Sequence, residues 1–116
     1  MAENLISRTE AESDILACAA FLGERIKSND GRVEAMAAVV PRYLARGKTD
    51  LAAELSDTVD DPYSRDKLLT MVAEKCAELE DVDYAVQLTD AIEDHGMQAQ
   101  ALERVAVQLA EKGDYT

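Results

Sequence analysis

The chain has 116 residues, enough for one domain with a modest core. Hydrophobic residues make up 47% of the chain but aromatic residues only 4%, a balance that suits closely packed helices rather than a β-sandwich or a deep cofactor pocket. The formal net charge of −12 repels phosphate groups and therefore argues against a nucleic-acid partner. It fits a basic partner, a salt-rich cytoplasm or simply a solvated acidic surface.

The sequence also predicts the compartment. It has no run of about 18 apolar residues that could cross a bilayer, so no membrane association is expected. The first residues lack the basic and then apolar pattern of a secretory signal. Cys18 and Cys76 lie far apart and outside any metal-binding motif, which predicts two reduced, buried thiols, with a disulfide or redox switch as the alternative. We therefore expect a cytoplasmic protein.

Apolar residues recur at helical spacing in six segments, and no segment shows sustained two-residue alternation. The predicted helices cover about residues 10–27, 32–45, 50–60, 63–79, 83–93 and 97–112. Short loops of two to five residues make successive helices antiparallel. The sequence therefore predicts an all-α fold of six antiparallel helices.

The predicted boundaries depend on turn and capping residues. These are a break at residues 28–31, a left-handed stop at Gly47, a cap from Thr49 or Asp50, a cap from Asp61 followed by Pro62, a cap from Asp81, and a stop at His95-Gly96. Pro41 lies inside the second helix, where a lost backbone hydrogen bond predicts a kink.

A period of 33 residues relates the helices to one another. Displacing the sequence by this amount superimposes six apolar columns: Met36, Leu69 and Leu102; Val39, Val72 and Val105; Tyr43, Cys76 and Leu109; Ala19, Ala52 and Ala85; Leu22, Leu55 and Leu88; Ile26, Val59 and Ile92. Arg32 and Arg65 also superimpose. A period of this length that carries two helices is typical of helical-hairpin repeats, here about three stacked hairpins.

The segment Ala101–Tyr115 resembles the first helix and turn of a tetratricopeptide repeat. Ala106 occupies the small mid-helix position, Gly113-Asp114-Tyr115 forms the turn, and Ala19, Ala52 and Ala85 occupy the buried alanine of the second helix. The resemblance implies a right-handed superhelix of hairpins and a role in protein–protein interaction. The period is 33 rather than 34, and Met36, Leu69 and Leu102 stand where that family has a large aromatic residue. HEAT-like packing is the alternative.

We expect residues 1–116 to form a single helical-repeat domain. In the repeat register residues 10–27 match a second helix without its first, and residues 97–112 match a first helix without its second. Either the last helix is a solvating cap or the chain is a fragment of a longer array, and we favour the fragment.

No motif predicts catalysis, a cofactor or a metal. His95 is the only histidine and lies in a predicted exposed turn beside Glu93 and Asp94, without HExxH or ExxH spacing. Acidic clusters around Asp61 and Asp81 lack the glycine and ligand spacing of a calcium-binding loop. They are better explained as complements to helix N-termini. We therefore expect the protein not to be an enzyme.

The resemblance implies a partner-binding groove lined by the first helix of each hairpin. Its candidate residues are Lys67, Thr70, Glu74, Glu78, Gln100, Glu103, Val107 and Glu111. Their acids predict a basic protein or peptide partner. The alternative function is a structural or self-association module within a larger protein, with end faces bearing Leu5, Ile6, Val107 or Tyr115 and with homo-oligomers as its product. A small helical enzyme or metal carrier is a third hypothesis.

Overall fold

The structure, a computed structural model, describes Ile6 and residues 14–113 of the chain. These residues contain six α-helices and no strand: α1 (Ile15–Glu24), α2 (Asn29–Ala45), α3 (Thr49–Asp57), α4 (Pro62–Glu78), α5 (Val82–Ala91) and α6 (His95–Gly113). The all-α prediction and the number of helices are confirmed for this part of the chain. The predicted residues Glu10 to Ser13 of the first helix, together with Leu5, Asp114 and Tyr115, lie outside the described residues.

The chain divides into two units, Met1–Arg65 and Asp66–Thr116, and the boundary falls inside α4. In the first unit α1 packs on α2, and α2 packs on α3. In the second unit α5 packs on α6.

Polar contacts show that neighbouring helices of the first unit run antiparallel. The Arg46 guanidinium, just after α2, donates to Asp14 Oδ2, just before α1, at 2.7 Å. At the opposite end of α2, Arg32 donates to the backbone oxygen of Ile26 from Nε at 3.2 Å and Nη2 at 2.9 Å. Its Nη1 donates to the backbone oxygen of Thr58 at 3.0 Å. The N-terminal end of α2 therefore lies beside the C-terminal ends of both α1 and α3.

The second unit has an equivalent arrangement. Gln98 Nε2, in the first turn of α6, donates to the backbone oxygen of Thr89 near the end of α5 at 3.1 Å, so these helices are antiparallel. The Asp94 backbone N–H, just before α6, donates to Asp66 Oδ2 near the start of α4 at 3.2 Å. The starts of α4 and α6 therefore lie together. The Asp66 side chain is only 1% exposed, and this hydrogen bond offsets part of the cost of burying a carboxylate.

The N-terminal caps of three helices follow the 33-residue period. Ser28, Asp61 and Asp94 precede α2, α4 and α6, and each accepts a hydrogen bond from the backbone N–H three residues later: Gly31 at 3.2 Å, Ser64 at 3.0 Å and Met97 at 2.9 Å. A cap of this kind satisfies a donor that the helix itself leaves without a partner. The period predicted from apolar columns is thus present in the capping hydrogen bonds too.

Several boundaries differ from the predictions. Asn29, Asp30 and Gly31 form the first turn of α2 rather than a break, because Ser28 caps that helix. His95-Gly96 begins α6 rather than ending α5, because Asp94 caps α6; α5 ends at Ala91. Neither Thr49 nor Asp50 caps α3, which begins after Lys48 without a side-chain cap. The predicted caps Asp61 and Asp81 and the left-handed Gly47, at φ +74°, are confirmed. α2 continues through Pro41 to Ala45.

Several apolar columns are buried in the central helices but exposed on α1 or α6. Met36 and Leu69 are 0% and 2% exposed, whereas Leu102 in the same column is 49% exposed. Leu55 and Leu88 are 0% and 6% exposed, whereas Leu22 is 58% exposed. The predicted burial is therefore wrong for Leu102 and Leu22. Four other residues expected to be buried are exposed or half-buried: Cys18, Ala19, Ile26 and Leu109. Cys18 and Cys76 do not form a disulfide, and Cys76 is buried as predicted.

One further column of the period consists of small or hydroxyl-bearing residues. Gly23, Ser56 and Thr89 stand 33 residues apart, and all three are buried. A Cβ atom on Gly23 would lie 3.2 Å from both Ala35 Cβ and Met36 Cε, closer than most such contacts. Ser56 Oγ and Thr89 Oγ1 donate to carbonyl oxygens of their own helices, so their hydroxyls are satisfied despite burial.

The cap at Asp61 gives a testable pH dependence. The Ser64 hydroxyl, and after it the Ser64 backbone N–H, donates to the Asp61 carboxylate and lowers its pKa below the ordinary value of 3.8. A carboxyl whose pKa is lower in the folded state stabilises the fold above its unfolded-state pKa, and this stabilisation is lost as the pH falls through the folded-state pKa.

We therefore expect NMR titration to place the Asp61 pKa below 3.8, and Ser64→Ala to return it toward that value. The same variant should reduce the loss of stability that acid causes below that pH. A Ser64→Ala variant whose Asp61 titrates as in the unmodified chain would contradict this account of the cap.

Candidate functional site

A concave space of about 400 Å³ lies in the second unit between α4 and α6. We call it the α4–α6 groove. It is lined by Glu74 of α4 and by residues of α6 that repeat at helical spacing along one face: Gln100, Glu103, Arg104, Val107, Gln108 and Glu111. A volume of this size is in the range of ligand-binding pockets in proteins.

The local sequence explains why these side chains share a face. Residues three and four apart on a helix are neighbours, so Gln100, Glu103, Val107 and Glu111 form one row. The opposite side of α6 carries Ala101 and Val105, which are 0% and 5% exposed and fix the helix against its unit. Burial of these two residues turns the polar row outward.

The structure brings together five of the eight residues predicted for the groove. Glu74, Gln100, Glu103, Val107 and Glu111 line it. The remaining three are elsewhere. Lys67 is exposed on α4 but does not line the groove, and the exposed Glu78 pairs with Lys75 at 3.3 Å within its own helix. Thr70 was expected at an outward position but is buried, with its hydroxyl donating to the Asp66 backbone oxygen at 2.8 Å.

Two lining residues, Arg104 and Gln108, were missed because the prediction took about one residue from each turn of α6. Arg104 Nη1 lies 3.4 Å from Glu74 Oε2 and so links α6 to α4 across the groove. Both side chains are substantially exposed, at 59% and 42%, so solvent screens the pair and it contributes little stability. The sequence could have indicated Arg104 as a groove residue, because it is a basic residue on the same helical face as Glu103 and Glu111.

The electrostatics of the groove are acidic. Three carboxylates, on Glu74, Glu103 and Glu111, face one guanidinium, on Arg104, within a chain of net charge −12. Val107 is 52% exposed and adds an apolar contact, while Gln100 and Gln108 each offer an amide that donates and accepts hydrogen bonds. This combination can hold a cationic side chain and the backbone beside it.

Among the described residues, no group of three or more His, Cys, Asp or Glu side chains is placed to hold a metal ion. His95 is exposed at the first position of α6. None of the helices described is long and apolar enough to cross a bilayer.

Comparisons of the chain with protein-family models, with curated proteins and with solved structures gave no match.

Proposed function

We propose that this chain is a non-catalytic protein-interaction module that binds a basic peptide segment in the α4–α6 groove. The observation that carries the proposal is the convergence of Glu74, Glu103 and Glu111 around one open space of about 400 Å³ that also has amide and apolar lining. Complementary charge of this kind favours encounter with a cationic ligand and discriminates against an anionic one.

The proposed ligand follows from the lining. A Lys or Arg side chain would approach Glu103 and Glu111, which both line the groove. The amides of Gln100 and Gln108 suit the N–H and C=O groups of an extended backbone. Val107 would pack against the aliphatic stem of the bound cation, since such stems readily cover apolar surface. The ligand is thus a short basic segment rather than a free metal ion or an anion.

The proposal includes the architecture in which the groove is set. Antiparallel neighbours in both units, and caps at Ser28, Asp61 and Asp94, support tandem helical hairpins. The right-handed superhelix of tetratricopeptide type remains part of the proposal. So does a cytoplasmic location, because a reducing compartment suits a chain whose Cys18 and Cys76 form no disulfide.

Fluorescence anisotropy tests the proposed function. A labelled peptide rich in Lys and Arg is titrated with the protein, beside a peptide of the same length in which Glu replaces each cation. We expect saturable binding of the basic peptide alone, and weaker binding as salt is raised, because salt screens exposed charges. The double variant Glu103→Lys, Glu111→Lys should weaken binding at least tenfold.

The matched control is Glu54→Lys, Asp90→Lys, which changes the net charge by the same amount at exposed positions on α3 and α5. Binding by this control variant should remain close to that of the unmodified protein. Equal losses in the two double variants would mean that overall charge, not the groove, attracts the peptide. The proposed site would then be discarded.

One observation favours the alternative of self-association. Apolar positions that are buried in the central helices are exposed on α1 and α6, as Leu22 and Leu102 illustrate. These faces are distinct from the acidic row that lines the groove.

A further inference from the structure

The α4–α6 groove already holds a cation that belongs to the chain itself. Among the described residues that line the groove, Arg104 alone is basic, and its Nη1 lies 3.4 Å from Glu74 Oε2 on the facing helix. Glu74 in turn is the one described lining residue that α4 contributes. The Arg104 side chain therefore lies where the cation of a ligand would have to lie in order to reach Glu74.

The contact between Arg104 and Glu74 is suited to exchange. Hydrogen bonds between charged groups are typically about 2.7–2.9 Å long, so a separation of 3.4 Å is that of a weak one. The ion pair of Arg46 with Asp14 is 2.7 Å long by comparison, and its hydrogen bond lowers the pKa of Asp14 below the ordinary value of 3.8. Water reaches about half of both the Arg104 and the Glu74 side chains and competes for their charges.

The 33-residue period does not require this ion pair. One period before Arg104 stands Met71, and one period before Glu74 stands Pro41, so the same two positions carry no charge earlier in the chain. The burial of Ala101 and Val105 already fixes α6 against its unit. The ion pair is therefore a local feature of the groove and not part of the packing that the helices repeat.

Arg104 also reduces the charge that the groove presents to a ligand. Three carboxylates and one guanidinium give the lining a net charge of −2. A cationic ligand that leaves the ion pair closed is attracted by Glu103 and Glu111 and repelled by Arg104. A ligand that opens the ion pair gains the third carboxylate, on Glu74.

We propose that Arg104 is an internal competitor for the bound segment: a Lys or Arg side chain of the ligand displaces the Arg104 guanidinium and takes its place at Glu74. The displaced guanidinium extends into solvent, which already reaches 59% of that side chain. Only a ligand that interacts with Glu74 more favourably than Arg104 does makes the exchange, so the competitor discriminates against weakly cationic segments. This inference rests on the proposed function, because it concerns the same groove and the same class of ligand.

Fluorescence anisotropy with the peptide rich in Lys and Arg tests the exchange in three variants: Arg104→Gln, Glu74→Gln and the two combined. Glutamine is a good helix former and both side chains are substantially exposed, so all three should fold, as circular dichroism would verify. Arg104→Gln should bind the peptide at least about threefold more tightly than the unmodified protein. Added to Glu74→Gln, the same substitution should gain at most half of that factor, because it uncovers no carboxylate.

Nitrogen-15 NMR of the Arg104 Nε–H group follows the exchange directly. We expect saturating peptide to move this resonance toward its position in the Glu74→Gln variant, in which the guanidinium has lost the Glu74 carboxylate. The Nε–H resonance of Arg42, on α2, should not move. An Arg104 resonance that saturating peptide leaves in place would overturn the proposal.

Arg42→Gln is the matched control for binding, since it removes one positive charge from an exposed position on α2. Equal gains in affinity from Arg42→Gln and Arg104→Gln, or from Arg104→Gln with and without Glu74, would reduce the effect to net charge and overturn the exchange. If Arg104→Gln gives no gain while binding still depends on Glu103 and Glu111, this inference fails and the proposed function stands. If no form of the protein binds the peptide, both fail.

Discussion

Replacing Leu69 with alanine is expected to lower the free energy of unfolding by about 2–5 kcal/mol. Leu69 is 2% exposed on α4, beside Leu68, Val72 and Ala73, which are also buried. Alanine would remove apolar contacts and leave a cavity that close-packed neighbours fill only in part. Urea denaturation at low protein concentration measures the change.

Leu102→Ala is the matched control, because Leu102 occupies the same repeat column and the chemical change is identical. It is 49% exposed, so its replacement should cost about 1 kcal/mol or less in the monomer. Equal costs at the two positions would mean that the difference in burial along this column is absent in solution.

Arg32→Met is expected to lower the free energy of unfolding by about 2–3 kcal/mol, since hydrogen bonds from charged groups contribute roughly 1.5–3 kcal/mol and do not add independently. The substitution keeps an unbranched apolar stem but removes the donors to the backbone oxygens of Ile26 and Thr58. The ends of α1 and α3 would lose their shared link to the start of α2. The ion pair with Asp60, at 3.7 Å, adds little because Asp60 is 81% exposed.

Arg42→Met in the same helix is its control. Arg42 is exposed, and within the described part of the chain its guanidinium donates to the Ala38 backbone oxygen one turn earlier, so we expect a change below about 0.5 kcal/mol. Thermal or urea unfolding of the two variants side by side gives the comparison. If both variants unfold like the unmodified chain, the link made by Arg32 does not contribute to the stability of the first unit.

Helix positions were largely predictable because they depend on local chemistry. The spacing of apolar residues located all six helices, and Asp61, Asp81 and Gly47 act at their ends as expected. The errors occurred where two local signals competed. Asn29-Asp30-Gly31 resembles a turn, yet the Ser28 cap allows these residues to start α2. His95-Gly96 resembles a stop, yet Asp94 makes it the first turn of α6.

The groove was predictable only in part. Residues of a single helix face, such as Gln100, Glu103 and Val107, follow from helical spacing alone. The rotation of α4 against α6 does not, and it decides that Thr70 is buried whereas Glu74 reaches Arg104. The repeat pattern of the sequence does not show which residues of another helix pack opposite a given position.

The sequence by itself determined the helices, the 33-residue period and the residue types that recur at each position of it, since these are set by side chains a few residues apart. Only the tertiary structure decided which members of a column are covered. Leu69 and Leu102 share a register and a chemistry, but burial requires a neighbouring helix, and Leu102 lacks the cover that Leu69 has. The same reason separates Leu55 from Leu22.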